Sequence, residues 1–201
     1  MHPIGEKRLF LLDMDGTIYL DEDLFPGTLP FLQRVKETGG RYLFLTNNSS
    51  RSVTTYIEKL NRLGIRAEAE DFLTSTSAMV VDLQSREPYR LCYAFGTAAF
   101  RQQLQEAGIN ITDKLSDEVD CLLIGFDTEL TFQKLHDVSY LLLTRPELPY
   151  IATNPDLVCP TEFGSVPDCG SVCIGIKNAT GRDPIVIGKP SPLMPLLAMD
   201  Q

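Results

Sequence analysis

Short apolar runs that break off into small and polar residues alternate along this chain with stretches where apolar residues recur every third or fourth position. Leu9-Phe10-Leu11-Leu12 runs into Asp13-Met14-Asp15-Gly16-Thr17, and Tyr42-Leu43-Phe44-Leu45 runs into Thr46-Asn47-Asn48-Ser49-Ser50. Runs of that length, apolar throughout and bounded by turn residues, predict strands buried on both faces, as in a parallel sheet. Between them Thr28 predicts a helix cap, Leu32 and Val35 share one face, and Gly39 is the stop. After the second strand Val53, Tyr56, Ile57, Leu60 and Leu63 fall at helical spacing, with Gly64 ending the helix. Tyr19 to Gly27 reads as an acidic loop. Strand, helix, strand, helix in that order predicts a right-handedly wound parallel α/β sheet.

The pattern restarts near Gln84–Pro88. Leu91–Phe95 and Val119–Ile124 predict strands, and Tyr150–Ala152 a third, short one. Thr97 is placed to cap a helix carrying Phe100, Leu104 and Ala107, and Thr131 one carrying Phe132, Leu135, Val138 and Leu142. This second unit closes near Asn178, before the turn Thr180–Pro184. Ile185-Val186-Ile187 then predicts a strand that delivers Gly188-Lys189-Pro190. Spacing alone leaves open whether the second unit follows the first or is inserted into it.

Composition narrows the setting. With 201 residues, 43% hydrophobic and 22% charged, the chain can bury a real core. A net charge of -9 argues against nucleic acid or an anionic membrane as partner, and requires local positive charge for any anionic substrate. The early apolar run Leu9–Leu12 is too short for a signal peptide, and no run reaches the length of a membrane span. Cys92, Cys121, Cys159, Cys169 and Cys173 form no C-x-x-C pair, which predicts reduced thiols and a cytoplasmic location. Histidine chemistry is not supported by His2 and His136 alone.

Three strand ends carry the candidate chemistry. In an open α/β sheet, ligands collect beyond the carboxyl ends of the strands. Asp13 and Asp15 sit together at such an end, and a hard cation such as Mg²⁺ would relieve their mutual repulsion. Thr46, Asn47 and Asn48 stand before a helix, where hydroxyl and backbone N–H groups suit an anion such as phosphate. That composition also makes an ordinary capped turn. Lys189 ends a further strand and is placed to neutralise a phosphate. Two acids, a hydroxyl and a lysine at strand ends are the groups that metal-assisted phosphoryl transfer needs.

Asp13-Met14-Asp15-Gly16-Thr17, Leu45-Thr46-Asn47-Asn48, Ala152-Thr153-Asn154-Pro155-Asp156 and Gly188-Lys189-Pro190, in this order, resemble the haloacid dehalogenase superfamily and its NagD-like phosphatases. The resemblance implies a Rossmann-like parallel-sheet core from residues 1–85 and 179–201, with residues 86–178 inserted as an α/β cap of the C2 type. It further implies Mg²⁺-dependent hydrolysis of small phosphate monoesters. Asp13 would be the nucleophile that forms an aspartyl-phosphate, and Asp15 the proton donor and then the base. The Asp13 carboxylate and the Asp15 carbonyl would bind Mg²⁺. Thr46 and the Asn47 backbone, with Asn48 beside them, would hold phosphate oxygens, and Lys189 would stabilise charge. Asn154 and Asp156 would face the mouth and select the substrate. Cys169–Cys173 resembles a structural cap segment.

The family pattern continues with a further strand ending in aspartates that complete the Mg²⁺ site. These 201 residues stop inside what reads as the helix Pro192–Met199, and Asp200 follows no strand. The expectation is weak or absent turnover by the 201-residue chain, and an apolar sheet edge at Leu9–Leu12. Two other readings stand beside hydrolysis: a non-catalytic phosphate-ligand binding or interaction module, and a phosphotransferase using the same aspartate. A homo-oligomer is compatible with the sequence.

Overall fold

The computed structural model describes residues 6–200. His2 therefore lies outside the described residues. Elements are numbered in chain order: β1 (Leu9–Asp13), β2 (Tyr19–Leu20), β3 (Asp23–Leu24), α1 (Thr28–Glu37), β4 (Arg41–Thr46), α2 (Val53–Arg62), β5 (Phe72–Thr74), α3 (Ser75–Gln84), β6 (Cys92–Phe95), α4 (Ala98–Glu106), β7 (Ile111–Thr112), β8 (Cys121–Ile124), α5 (Phe132–Thr144), β9 (Tyr150–Ala152), β10 (Val158–Thr161), β11 (Gly164–Pro167), α6 (Cys169–Thr180), β12 (Ile185–Val186) and α7 (Leu193–Asp200).

The strands form two parallel sheets, β1-β4-β5 and β12-β9-β8-β6-β7, with small antiparallel hairpins β2-β3 and β10-β11. Alternation along the apolar strands gives each sheet two buried faces. In β4, Tyr42 and Phe44 face a cluster with Leu32, Val35, Tyr56 and Leu60 from α1 and α2. Leu43 and Leu45 face the opposite way, into a cluster shared with the second sheet. That middle cluster takes Ala78, Met79 and Leu83 from α3, Phe100 and Leu104 from α4, and Met194 and Ala198 from α7. Cys92, Ala94, Cys121, Leu123 and Ile151 close it from the second sheet. The far face of that sheet, with Tyr93, Phe95, Leu122 and Ile124, packs on Val138, Leu141 and Ile176 of α5 and α6. A wholly buried side chain such as Phe44 or Leu43 contributes about 1.5–3 kcal/mol through removal from water.

Helix ends follow local chemistry. Ser52, Thr97 and Thr131 accept the backbone N–H of Thr55, Phe100 and Lys134, capping α2, α4 and α5. Thr28 behaves otherwise than predicted. It is the first helical residue of α1, and its hydroxyl donates to the Ile18 carbonyl at 3.0 Å. Gly27, at φ 93°, precedes it without any side-chain cap. The predicted loop from Tyr19 to Gly27 holds the β2-β3 hairpin, and Tyr19 is buried rather than solvated. β5, α3 and the β10-β11 hairpin had no prediction. β5 is only three residues, and α3 opens on the polar Ser75 and Thr76.

The carboxyl ends of β1 and β4, the turn after β12 and the β10-β11 hairpin converge on one cavity of about 390 Å³. Among the described residues no helix is long and apolar enough to cross a membrane.

Candidate active site

Asp13 ends β1 opposite Leu45 of β4, so the parallel register sets the acid beside the turn that begins at Thr46. Lys189, 176 residues further along the chain, places its ammonium on the Asp13 carboxylate and donates to the Leu45 carbonyl at 3.3 Å. Thr17 also donates to Asp13, at 3.4 Å. Asp13, Asp15, Thr46, Asn47, Asn48, Asp156 and Lys189 all line the cavity. So do Val158, Cys159, Pro160 and Asp168 from the opposite wall, none of which the sequence pointed to as site residues.

Asn47 does something other than offer its side chain to a ligand. Its Oδ1 accepts the Lys189 N–H at 2.8 Å, and its Nδ2 donates to the Lys189 carbonyl at 3.0 Å and to Asp156 Oδ2 at 2.9 Å. One amide thus braces the backbone of the lysine and orients an acid from the second unit. Asn154 is wholly buried and does not line the cavity. It donates to the Asn47 carbonyl at 2.8 Å and accepts the Asp156 N–H at 3.0 Å. Its geometry is that of a support beneath Asn47 and Asp156. Asn48 folds its Oδ1 onto the N–H and hydroxyl of Ser50, at 2.9 and 2.7 Å, while its own N–H reaches the Thr46 hydroxyl at 3.1 Å.

Burial raises the pKa of Asp15, and the positive charges of Lys59 and Arg51 partly oppose it. Lys59 was missed by sequence reasoning. It is 6% exposed, and its ammonium lies 3.7 Å from the centre of the Tyr19 ring, a cation–π contact. Lys59 stands three residues after Tyr56 and four before Leu63, beside the apolar stripe of α2, a position a solvated lysine also takes. Burial lowers the Lys59 pKa, and the Asp15 charge counters that. The Tyr19 hydroxyl is buried without a well-formed hydrogen bond, and burial first and the Asp15 charge next push its pKa well up. On the other wall, burial pushes Asp168 up to about 6, with the Cys169 N–H opposing and the Asp156 charge adding.

The donors at the β1 end are all oxygens, from the Asp13 and Asp15 carboxylates and the loop carbonyls, which suits a hard cation. Among the described residues no group of three or more His, Cys, Asp or Glu side chains is close enough to hold a metal by itself.

The sequence pattern of the haloacid dehalogenase-like hydrolases matches residues 10–110. An acid sugar phosphatase of Staphylococcus aureus is 32% identical over 195 residues, covering 97% of this chain and 74% of that protein. The chain belongs to the haloacid dehalogenase-like hydrolases, on their NagD-like branch. The crystal structure of a 4-nitrophenylphosphatase from Thermotoga maritima superposes with a TM-score of 0.91 at 36% identity, covering 100% of this chain and 75% of that one. A glycerol phosphate phosphatase from Mycobacterium tuberculosis, solved with magnesium, gives a TM-score of 0.87 at 30% identity, covering 100% and 60%. The haloacid dehalogenase-like chain described here is thus a phosphatase-type member of its family.

Proposed function

We propose that this chain hydrolyses small phosphate monoesters through an aspartyl-phosphate on Asp13, with a C2-type cap inserted after core residues 1–85; β12, expected in the core segment 179–201, pairs instead with β9 in the sheet of that second unit. The observation that carries the reading is the meeting of Lys189 with Asp13, from opposite ends of the sequence, in a cavity that also holds Asp15 and Thr46. A cation against the reacting carboxylate holds it in place and stabilises the charge that builds on phosphorus.

In the first step an Asp13 oxygen forms a bond to phosphorus while the bond from phosphorus to the leaving oxygen breaks. Asp15 delivers its proton to that oxygen. The burial that raises its pKa favours the protonated form a donor needs. In the second step water attacks the aspartyl-phosphate, Asp15 takes the water's proton, and phosphate leaves with Asp13 restored. The Thr46 hydroxyl and the backbone at Asn47 hold phosphate oxygens, and Asn47 keeps Lys189 in position. Mg²⁺, when bound by the Asp13 carboxylate and the Asp15 carbonyl, would supply charge neutralisation for the incoming phosphate.

The substrate class follows two relatives of this chain, a sugar phosphatase and a glycerol phosphate phosphatase. The five cysteines are all free thiols, in keeping with a cytoplasmic setting. Phosphate release from p-nitrophenyl phosphate, with and without Mg²⁺, tests the reading in the intact chain and in Asp13→Asn. Mg²⁺-dependent release that disappears in the variant is expected. Release that survives Asp13→Asn would overturn the aspartate mechanism, and phosphate binding without release would favour a ligand-binding module.

A further inference from the structure

The wall of the cavity formed by residues 156–168 carries two carboxylates that the proposed chemistry does not use, Asp156 and Asp168. Asp156 receives the Asn47 amide. Asp168 is 4% exposed and heads α6, where its Oδ1 accepts the Cys169 N–H. The Asn154 amide interacts with the same carboxyl, but among the described residues no lysine or arginine lies within ion-pair distance of it. The cation among the lining residues, Lys189, is engaged with Asp13. A nine-tenths-buried carboxyl thus opens on the substrate cavity with no countercharge.

We propose that Asp168 is a specificity residue. Its carboxylate excludes phosphate esters whose leaving group carries a second negative charge and leaves the site to esters of neutral, hydroxylated leaving groups. This rests on the phosphatase reading above. Like charges brought together in a partly enclosed site are a recognised means of rejecting a wrong partner. A hydroxyl, by contrast, donates a hydrogen bond to the same oxygen. The discrimination comes from a repulsive element as much as from new attraction. Its removal should therefore increase turnover of the rejected class, an outcome that damage to the fold does not produce.

The test compares glycerol 3-phosphate with 2-phosphoglycolate, similar in size and differing in a carboxylate, at pH 8. Asp168→Asn and Asp168→Ser both retain a side-chain oxygen able to cap α6. The parent chain is expected to favour glycerol 3-phosphate in kcat/KM by at least about tenfold. Either variant should narrow that ratio about tenfold or more through a rise for 2-phosphoglycolate. An unchanged ratio, or a parent chain that treats the two esters alike, overturns the proposal. p-Nitrophenyl phosphate separates the two failures: Asp13-dependent hydrolysis with an unmoved ratio removes Asp168 alone. Should no ester turn over, calorimetric Kd values for the same two esters replace kcat/KM. Equal values, or no binding of either ester, then overturn the proposal.

Discussion

Replacing Asn47 with alanine should cost far more stability than replacing its neighbour Asn48, although the two are adjacent copies of one residue in one motif. Asn47 is 7% exposed, and its amide makes three hydrogen bonds, to the Lys189 N–H, the Lys189 carbonyl and the Asp156 carboxylate. A neutral hydrogen bond contributes about 0.5–1.5 kcal/mol net, and one to a charged group about 1.5–3. The sum is about 2.5–6 kcal/mol. Water entering the adjoining cavity would satisfy part of what is lost, which lowers the expected cost to about 2–4 kcal/mol. Among the described residues the Asn48 side chain hydrogen-bonds only to Ser50, two residues away, in a local turn. Its removal should cost about 1 kcal/mol or less.

Urea unfolding of the two variants beside the parent measures both numbers, provided the slope with denaturant stays constant. The same substitution should lower kcat, because Lys189 loses the brace on both of its backbone polar groups. An Asn47→Ala protein within about 0.5 kcal/mol of the parent would refute the brace, as would equal losses at the two positions.

Three further outcomes follow from single side chains. Lys189→Met should lower kcat for p-nitrophenyl phosphate about 100- to 1000-fold, with a melting temperature close to the parent's, since it removes the cation on Asp13. A fall of less than about tenfold would count against its role. Tyr19→Phe should cost no stability and stabilises by up to about 1 kcal/mol, because it deletes a buried hydroxyl without a well-formed partner. A loss above about 1 kcal/mol would show that this hydroxyl bonds Asp15. The folded Asp168 has its pKa pushed up from 3.8 to about 6, so between those values the folded chain binds the extra proton. Stability from this group is present at low pH and declines as pH rises through that window, by up to about 3 kcal/mol. Asp168→Asn should therefore be more stable than the parent at pH 7.5 and equal to it at pH 4 in urea titrations. An equal difference at both pH values would remove the titration argument.

The strands and most helices were legible because burial on both faces leaves an unbroken apolar run, as in Tyr42–Leu45, and because Thr97 and Thr131 cap where they stand. Elements escaped notice where that signal is short or polar. Phe72–Thr74 has three residues to declare a strand, and the hairpin from Val158 to Pro167 alternates around Pro160 with most of its positions exposed. Thr28 misled because a threonine before an apolar stripe reads as a cap, while tertiary structure offered its hydroxyl the Ile18 carbonyl instead.

The candidate site divides along the same physical line. Asp13 and Thr46 were readable because neighbouring strand ends in a parallel sheet point to one mouth, whereas Lys189 follows β12 of the other sheet and reaches that mouth through the packing of the two sheets. What their side chains bond to was not readable, because that depends on residues more than a hundred positions away. Asn47 and Asn154 carry the composition of a ligand-binding turn, yet the Asn47 amide is spent on Lys189 and Asp156, and the Asn154 amide on the Asn47 carbonyl and the Asp156 N–H. Lys59 and Asp168 were hidden for the opposite reason. A lysine on a helix face and an aspartate before a helix have ordinary solvated explanations, and only burial against Tyr19 or on the cavity wall removes them. The positions of Asp13 and Thr46 thus follow from strand topology, and those of Lys189, Lys59 and Asp168 from packing between distant segments. The contrast between Asn47 and Asn48 is therefore the sharpest test of the site as built. Two identical side chains differ there only in whether the fold has given them distant partners.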